Sequence, residues 1–274
     1  MKTFRVCLTA LVAPVLLSVS AAAQITAPAG GATVPMLNVG GRPVIEVSIN
    51  GAAPVRVILD TGASHTVIDP AWVGGATGRQ SVKEVRIGEL VMQNADVSSR
   101  VLFGGTLPPE FPRGVFSALS FPGYLVTFDY PGKTVTFRKG ALPEADGKRV
   151  FGYDASDPLP RVPVMVAGHE YRIHVDSGSP SGVMLPLRAA KEVPLAAELS
   201  LAGRARTNVG EFEVFTAPVK GAVTLGEFTI DVPLVRFSDL SPGGGPGPGN
   251  LGYEVLRTFS LVLDSTNRRI SFGR

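Results

Sequence analysis

The sequence contains the stretch Val57-Ile-Leu-Asp-Thr-Gly62 and, in its second half, the related stretch Ile173-His-Val-Asp-Ser-Gly178. Each is a short apolar run, typical of a β-strand, that ends in an Asp, a hydroxyl residue and a Gly. One Asp after a strand is ordinary, because its side chain can hydrogen-bond the turn that follows. Two of them at matching places in one chain indicate a site built from two related halves.

An internal repeat connects the two stretches. Residues 114–137 align without a gap with residues 249–272, at an offset of 135. Further upstream, residues 85–90 resemble residues 223–228. The three pairs of related blocks follow the same order in both halves, which predicts two halves with the same fold.

Glycine and proline divide the chain into short strand-like segments. There are 32 Gly and 23 Pro, and they separate many short runs rich in Val, Ile, Thr and Phe. This pattern predicts an all-β protein, with the clearest helix candidate at residues 187–195. We expect two pseudo-twofold-related lobes, residues 27–139 and 158–274, with a cleft between them and a linker at residues 140–157.

The chemistry of the repeat depends on two carboxylates. Packing the halves face to face about a twofold axis would bring Asp60 and Asp176 together. Two carboxylates in contact cannot both ionise cheaply, so they share one proton. The charged member can then take a proton from water while the other donates one. Such a pair needs neither a metal nor an organic cofactor.

These motifs resemble those of the pepsin-like and retropepsin-like aspartic peptidases. The resemblance rests on residues 57–64, on residues 173–179, and on residues 252–264, which resemble the signature that closes each lobe. It extends over most of both halves, from about residue 41 to the end. It implies two acid-protease lobes with an active-site cleft between them, and an endopeptidase that hydrolyses an extended peptide or protein substrate.

The same resemblance assigns roles to individual residues. Asp60 and Asp176 are then the catalytic pair. The hydroxyls of Thr61 and Ser177 are expected to bond across to the other lobe and to fix the two loops. The glycines that follow, Gly62 and Gly178, allow a tight turn and the close approach of a peptide backbone.

Ser179 is the last residue expected to support the pair. It lies three positions after Asp176, where the first half has Ala63. A hydroxyl there could donate to the Asp176 carboxylate and favour its charged form. We therefore predict that Asp176 carries the charge and that Asp60 holds the shared proton.

The first half departs from the family pattern in two ways. The Gly of the closing signature is kept as Gly252 but is Ser117 in the first half. The first half also has about 22 fewer residues where the family carries a flap hairpin, whereas residues 205–218 are a hairpin candidate in the second half. These departures leave open an alternative, a catalytically inert protein of the same fold that binds peptides or a protein partner.

The N-terminus has the features of an export signal. Residues 1–23 combine two basic residues, an apolar run and a small-residue cleavage site, so we expect a signal peptide and a periplasmic or secreted protein. The single cysteine, Cys7, lies inside this segment. The apolar run is shorter than the roughly 20 residues that a membrane span needs, and no later stretch is long enough. After signal removal we therefore expect no membrane span.

Charge and histidine content exclude other classes of function. A net charge of +3, without a basic run interleaved with aromatics, does not predict nucleic-acid binding. The three histidines lack a metal-ligand spacing, so no metal site and no cofactor are predicted. Since one chain carries both Asp motifs, a monomer suffices.

Overall fold

A computed structural model describes residues 24–105, 108, 110–207, 210–232, 234–239 and 247–274. The predicted signal peptide, residues 1–23, and most of the Gly- and Pro-rich loop at 241–249 lie outside these residues. Within the described part, no helix is long and apolar enough to cross a membrane.

The protein is almost entirely β-structure, as the sequence predicts. The helix predicted at residues 187–195 is only a short 3-10 turn. The 3-10 turns are Pro70–Val73, Leu102–Gly105, Ala118–Ser120 and Leu187–Lys191, and α1 is Tyr253–Leu256. The described strands are β1 (Gln24–Thr26), β2 (Ala32–Pro35), β3 (Leu37–Asn38), β4 (Pro43–Ile49), β5 (Val55–Asp60), β6 (Val67–Ile68), β7 (Gly78–Ile87), β8 (Leu90–Ser99), β9 (Val115–Ser117), β10 (Tyr124–Asp129), β11 (Thr134–Lys139), β12 (Val150–Gly152), β13 (Arg161–Val166), β14 (His169–Val175), β15 (Val183–Leu185), β16 (Ser200–Thr207), β17 (Gly210–Ala217), β18 (Val223–Leu225), β19 (Phe228–Ile230), β20 (Val235–Phe237), β21 (Asn250–Leu251), β22 (Ser260–Asp264) and β23 (Arg269–Gly273).

Each half has a sheet of its own. In the first half the order is β1-β8-β6-β9-β5-β4-β3, with β7 paired to β4 and β8. In the second half it is β16-β17-β20-β15-β21-β14-β13-β18-β19. Apolar side chains alternate into the interior along most strands, as in β10, and they form a continuous buried core. Burial of this apolar surface stabilises the fold.

A third sheet joins the halves. Its order is β12-β23-β22-β10-β11-β2, with three strands from each side of the repeat. At its centre, Thr127 of β10 lies opposite Val262 of β22, and these residues are 135 positions apart. Exchanging the two strands leaves their register unchanged, as a local twofold axis at this point requires.

The predicted linker contributes to this third sheet. Within residues 140–157, strand β12 pairs with β23. Leu142 is also held, because its backbone N–H donates to the buried Asp264 carboxylate at 2.9 Å. The segment is therefore an ordered part of the joining sheet. Its mixed Gly, Pro and charged residues did not indicate this pairing.

Candidate active site

The same pair of parallel strands positions each carboxylate. In the first half, β5 runs parallel to β9, and Asp60 ends β5 opposite Ser117. In the second half, β14 runs parallel to β21, and Asp176 follows the last residue of β14 directly. The strands are apolar and buried up to these points, since Leu59 and Val175 are fully covered. The chain thus delivers both Asp residues at the end of a rigid, buried strand.

Four hydrogen bonds connect the two Asp loops. The Thr61 hydroxyl donates to the Val175 carbonyl at 2.6 Å and accepts from the Ser177 N–H at 3.0 Å. In return, the Ser177 hydroxyl donates to the Leu59 carbonyl at 2.9 Å and accepts from the Thr61 N–H at 3.0 Å. Both hydroxyl residues are fully buried. The interaction is reciprocal, so each half fixes the loop of the other.

The two loops bring the carboxyl groups of Asp60 and Asp176 to the same cavity. Asp60 Oδ1 accepts from the N–H of Gly62 at 2.7 Å and from the N–H of Gly178 at 3.0 Å. A Cβ on Gly62 would lie 2.6 Å from Asp176 Oδ1, and a Cβ on Gly178 would overlap the Asp60 carboxyl. Glycine is therefore required at both positions, because any side chain would push the carboxyls apart.

Asp176 has a different set of partners. Its Oδ2 accepts a hydrogen bond from the Asn250 side-chain amide at 3.2 Å. Asn250 is itself buried and fixed, because its Oδ1 accepts from the Ser181 hydroxyl at 3.0 Å. In the first half, the position equivalent to Asn250 is Val115, which can donate no hydrogen bond from its side chain.

The surroundings shift the pKa of both carboxyls upward. Burial, followed by the negative charge of Asp176, raises the pKa of Asp60 to about 7, although the Gly62 and Gly178 N–H groups oppose this shift. Burial also raises the pKa of Asp176, and the Asn250 amide is the largest opposing influence. Two neighbouring carboxyls whose charges disfavour each other are an arrangement that can share one proton.

A family model described as aspartyl protease matches residues 45–76 and 162–255. The chain is similar to aspartyl proteases. Each matched segment contains one member of the carboxyl pair, Asp60 or Asp176, together with the loop that follows it. This match supports an aspartyl protease family for the chain, and it agrees with the all-β architecture described above.

One predicted contact of this aspartyl protease-like site is wrong. The Ser179 hydroxyl is paired with the Ser181 hydroxyl at 2.8 Å and does not donate to Asp176. Only the backbone N–H of Ser179 acts on that carboxyl, where it lowers the pKa. The side-chain donor is Asn250. The sequence carried a signal for it, because residues 249–252 align with residues 114–117 and Asn250 is polar where the first half has Val115.

The serine that replaces a family glycine has a clear structural role. The Ser117 hydroxyl donates to the Ala63 carbonyl at 2.6 Å, within the Asp60 loop. In the second half, the equivalent carbonyl of Ser179 accepts from the Tyr253 N–H at 2.9 Å. There Gly252 is required, since a Cβ would lie 2.5 Å from the Ser181 carbonyl. Ser117 is therefore an alternative way of holding the same loop.

A hairpin from the second half lies over the carboxyls. Strands β16 and β17 pair from Ser200–Thr216 to Thr207–Gly210. The predicted hairpin at residues 205–218 was thus correct in kind, but its first strand begins earlier. Ala205 and Val214 of this hairpin line a cavity of about 590 Å³ that also includes both carboxylates. Among the described residues, the segment from β6 to β7 in the first half forms no such hairpin.

Two further features complete the site. The Tyr130 side chain is buried beside the pair, and its hydroxyl has no geometric hydrogen-bond partner among the described residues. Burial and the nearby carboxylates raise its pKa far above the usual range, so it stays a neutral phenol.

Within the described part of the chain, no group of three or more His, Cys, Asp or Glu side chains could hold a metal ion.

Proposed function

We propose that this protein is an aspartic endopeptidase in which Asp60 and Asp176 activate a water molecule for peptide-bond hydrolysis. One observation carries the proposal: the two carboxyls, one from each half, line the same cavity, and the N–H of Gly178 in the Asp176 loop donates to Asp60 Oδ1 at 3.0 Å. The reciprocal bonds of Thr61 and Ser177 support it, because they hold the two loops in one geometry. Such positioning is what general acid–base catalysis requires.

The reaction begins with one proton on the pair. Asp176, with the Asn250 donor, holds the charge, and Asp60 holds the proton. The Asp176 carboxylate takes a proton from water as the water oxygen bonds to the scissile carbonyl carbon. Asp60 gives its proton to the carbonyl oxygen, which produces a neutral tetrahedral diol.

The second half of the reaction returns the protons. The C–N bond of the diol breaks, its nitrogen takes the proton that Asp176 received, and a diol hydroxyl returns a proton to Asp60. The products are a carboxyl and an amine, and the pair regains its single proton. Since the pKa of Asp60 is about 7, activity should decline as the pH rises through 7 and Asp60 loses its proton.

We also propose that the protein acts outside the cytoplasm as a monomer of two lobes. The charged, then apolar, then small-residue order of residues 1–23 supports export, to the periplasm or the medium. The presence of both Asp loops in one chain supports a monomeric site, in contrast to one shared between two copies. A peptide or a protein chain is the proposed substrate.

The second candidate is a peptide-binding protein without catalysis. One observation favours it: among the described residues only the second half supplies a hairpin over the carboxyls. Incomplete closure would admit bulk water and weaken the electrostatic control of the reaction. The peptidase is favoured by the intact pair of Asp residues, by the reciprocal hydrogen bonds of Thr61 and Ser177, and by the glycines that follow them.

Cleavage of a mixed peptide library, measured by mass spectrometry between pH 3 and 8, tests the two candidates. Wild type should cleave, whereas Asp60→Asn and Asp176→Asn should each lose on the order of 10²–10⁴-fold in rate. Asn keeps the shape and the acceptor oxygen of the carboxyl, so both variants should fold. Peptide binding by wild type without any cleavage would instead establish the non-catalytic candidate.

A further inference from the structure

Basic side chains surround the carboxyl pair on both sides. On the hairpin side, the cavity of about 590 Å³ is lined by Arg42, Arg204 and Arg236. A second cavity of about 430 Å³, on the other side of the pair, is lined by Arg100. Among the described residues, the only carboxylate besides the pair itself that lines either cavity is Glu254.

The single extra carboxylate does not balance these cations. Glu254 forms a two-point ion pair with Arg236, at 2.8 and 2.9 Å, and so neutralises that arginine alone. Arg204 meets Glu213 at 3.8 Å, but both side chains are mostly exposed, where such pairs are weak. The walls of the two cavities, called the groove below, therefore keep an excess of positive charge.

Arg42 is an arginine of these walls whose charge reaches the carboxyl pair. It is half-buried, and its charge acts on both Asp176 and Asp60. Its guanidinium lies over the Phe111 ring at 5.3 Å and donates to the Gly40 carbonyl at 2.9 Å. No carboxylate of the described residues lies within 4.0 Å of it. The remaining N–H groups of a planar guanidinium are suited to receive a carboxylate.

We propose that the groove selects acidic peptides, and that Arg42 receives the carboxylate of a substrate side chain close to the scissile bond. The inference rests on the proposed function, since it names the substrate of the same site. A half-buried guanidinium attracts an anion more strongly than an exposed one because solvent screens it less. The basic walls on both sides would also draw an acidic peptide into the groove before it docks.

A matched peptide set tests this selectivity. Each position on either side of one scissile bond carries Glu, Gln or Lys in turn, and kcat/KM is measured for each peptide. At the position that faces Arg42, Glu should exceed Gln on the order of tenfold to a hundredfold, the range for a charge-assisted hydrogen bond. Raising the salt concentration to about 1 M should reduce the advantage of acidic peptides as a class.

Two arginine variants locate the effect. Arg42→Gln should remove the preference for Glu at one position, so that kcat/KM for the Glu peptide and for the matched Gln peptide becomes about equal there. Arg138→Gln is the matched control. Arg138 is exposed on β11 and lines neither cavity, and its replacement by Gln removes the same charge. A pH profile of each variant is recorded alongside, since loss of a cation that acts only on the carboxyl pair would shift that profile.

The outcomes separate this inference from the proposed function. Equal loss for Glu and Gln peptides in Arg42→Gln, with a shifted pH profile, would overturn the inference and make Arg42 a support of the pair. If wild type prefers Gln or Lys at every position, the inference also fails, whatever the variants do. If wild type cleaves nothing, the proposed function fails. Binding of the peptides to Asp60→Asn then still decides whether the groove prefers acidic ones.

Discussion

The two halves of the molecule share a framework and differ around the carboxyl pair. In both, a strand ending at an Asp runs parallel to a strand from the closing segment, and a buried hydroxyl reaches across to the other half. They differ at two places. Only the second half has a hairpin among the described residues that lines the cavity over the carboxyls, and only the second half has an amide, Asn250, beside its Asp.

This difference separates two tasks. The symmetric parts bring the carboxyls together, since each half supplies the contacts that fix the other. The asymmetric parts give the two carboxyls different surroundings, and in the proposed mechanism different roles. Asp176 gains a side-chain donor from Asn250, whereas the first half has the apolar Val115 at that position and the pKa of Asp60 is raised to about 7. Under the proposed mechanism, a repeated fold needs only a few unmatched residues to make an acid and a base from two copies of one loop.

The reciprocal hydrogen bonds of Thr61 and Ser177, called the grip below, predict the largest effect on stability. Thr61→Val keeps the shape of the side chain but leaves the Val175 carbonyl and the Ser177 N–H without their partner. Two buried groups left unpaired should cost about 2–4 kcal/mol, measured by urea denaturation. Ser177→Ala should cost a similar amount if the two sides are equivalent.

Thr61→Ser is the control for the grip, because it keeps the hydroxyl. It should lose well under half of what Thr61→Val loses. Strongly unequal costs for Thr61→Val and Ser177→Ala would show that the reciprocal contacts do not contribute equally.

The hairpin predicts a smaller effect, confined to catalysis. In the test variant, an Asn-Gly turn replaces residues 203–213, which shortens the hairpin but keeps the pairing of β17 with β20. Loss of positioning over the carboxyls should lower kcat/KM on the order of tenfold to a hundredfold, while the thermal midpoint changes little. An unchanged kcat/KM would mean that the hairpin plays no part in holding the substrate.

Asn250 predicts the smallest effect, a shift in the pH profile. Its amide lowers the pKa of Asp176, so Asn250→Ala should raise that pKa and move the acid limb of kcat/KM to higher pH. A loss of one hydrogen bond to a charged group corresponds to a shift on the order of one pH unit. Val115→Ala, at the equivalent position of the first half, should leave the acid limb in place. Equal shifts in both variants would remove the proposed difference between the carboxyls.

The sequence revealed the framework because the framework is repeated. The gapless match between residues 114–137 and 249–272 predicted two halves with the same fold, and β10 and β22, which are equivalent in that repeat, pair with each other. The residue types also predicted the two Asp loops, because a hydroxyl residue and a Gly after each Asp have few other uses at the end of a strand.

The unmatched contacts could not be derived in the same way. Asn250 reaches Asp176 because two strands distant in sequence run in parallel, a pairing that no local pattern encodes. Arg42 comes near the carboxyls through the strand before β5, and the hydroxyl of Ser179 turns to Ser181 because a nearer partner is present. Each of these contacts depends on which partners the folded chain brings close together.

The most direct test of the central claim is the titration of the two carboxyls themselves. The ¹³C carboxyl NMR signals of Asp60 and Asp176 are followed against pH and assigned with the two Asn variants. The account predicts that Asp60 ionises near pH 7 and that its pKa falls when Asp176 becomes Asn, because the neighbouring charge is lost. Two signals that titrate independently, both close to the ordinary pKa of about 4 for an aspartate, would contradict a shared proton.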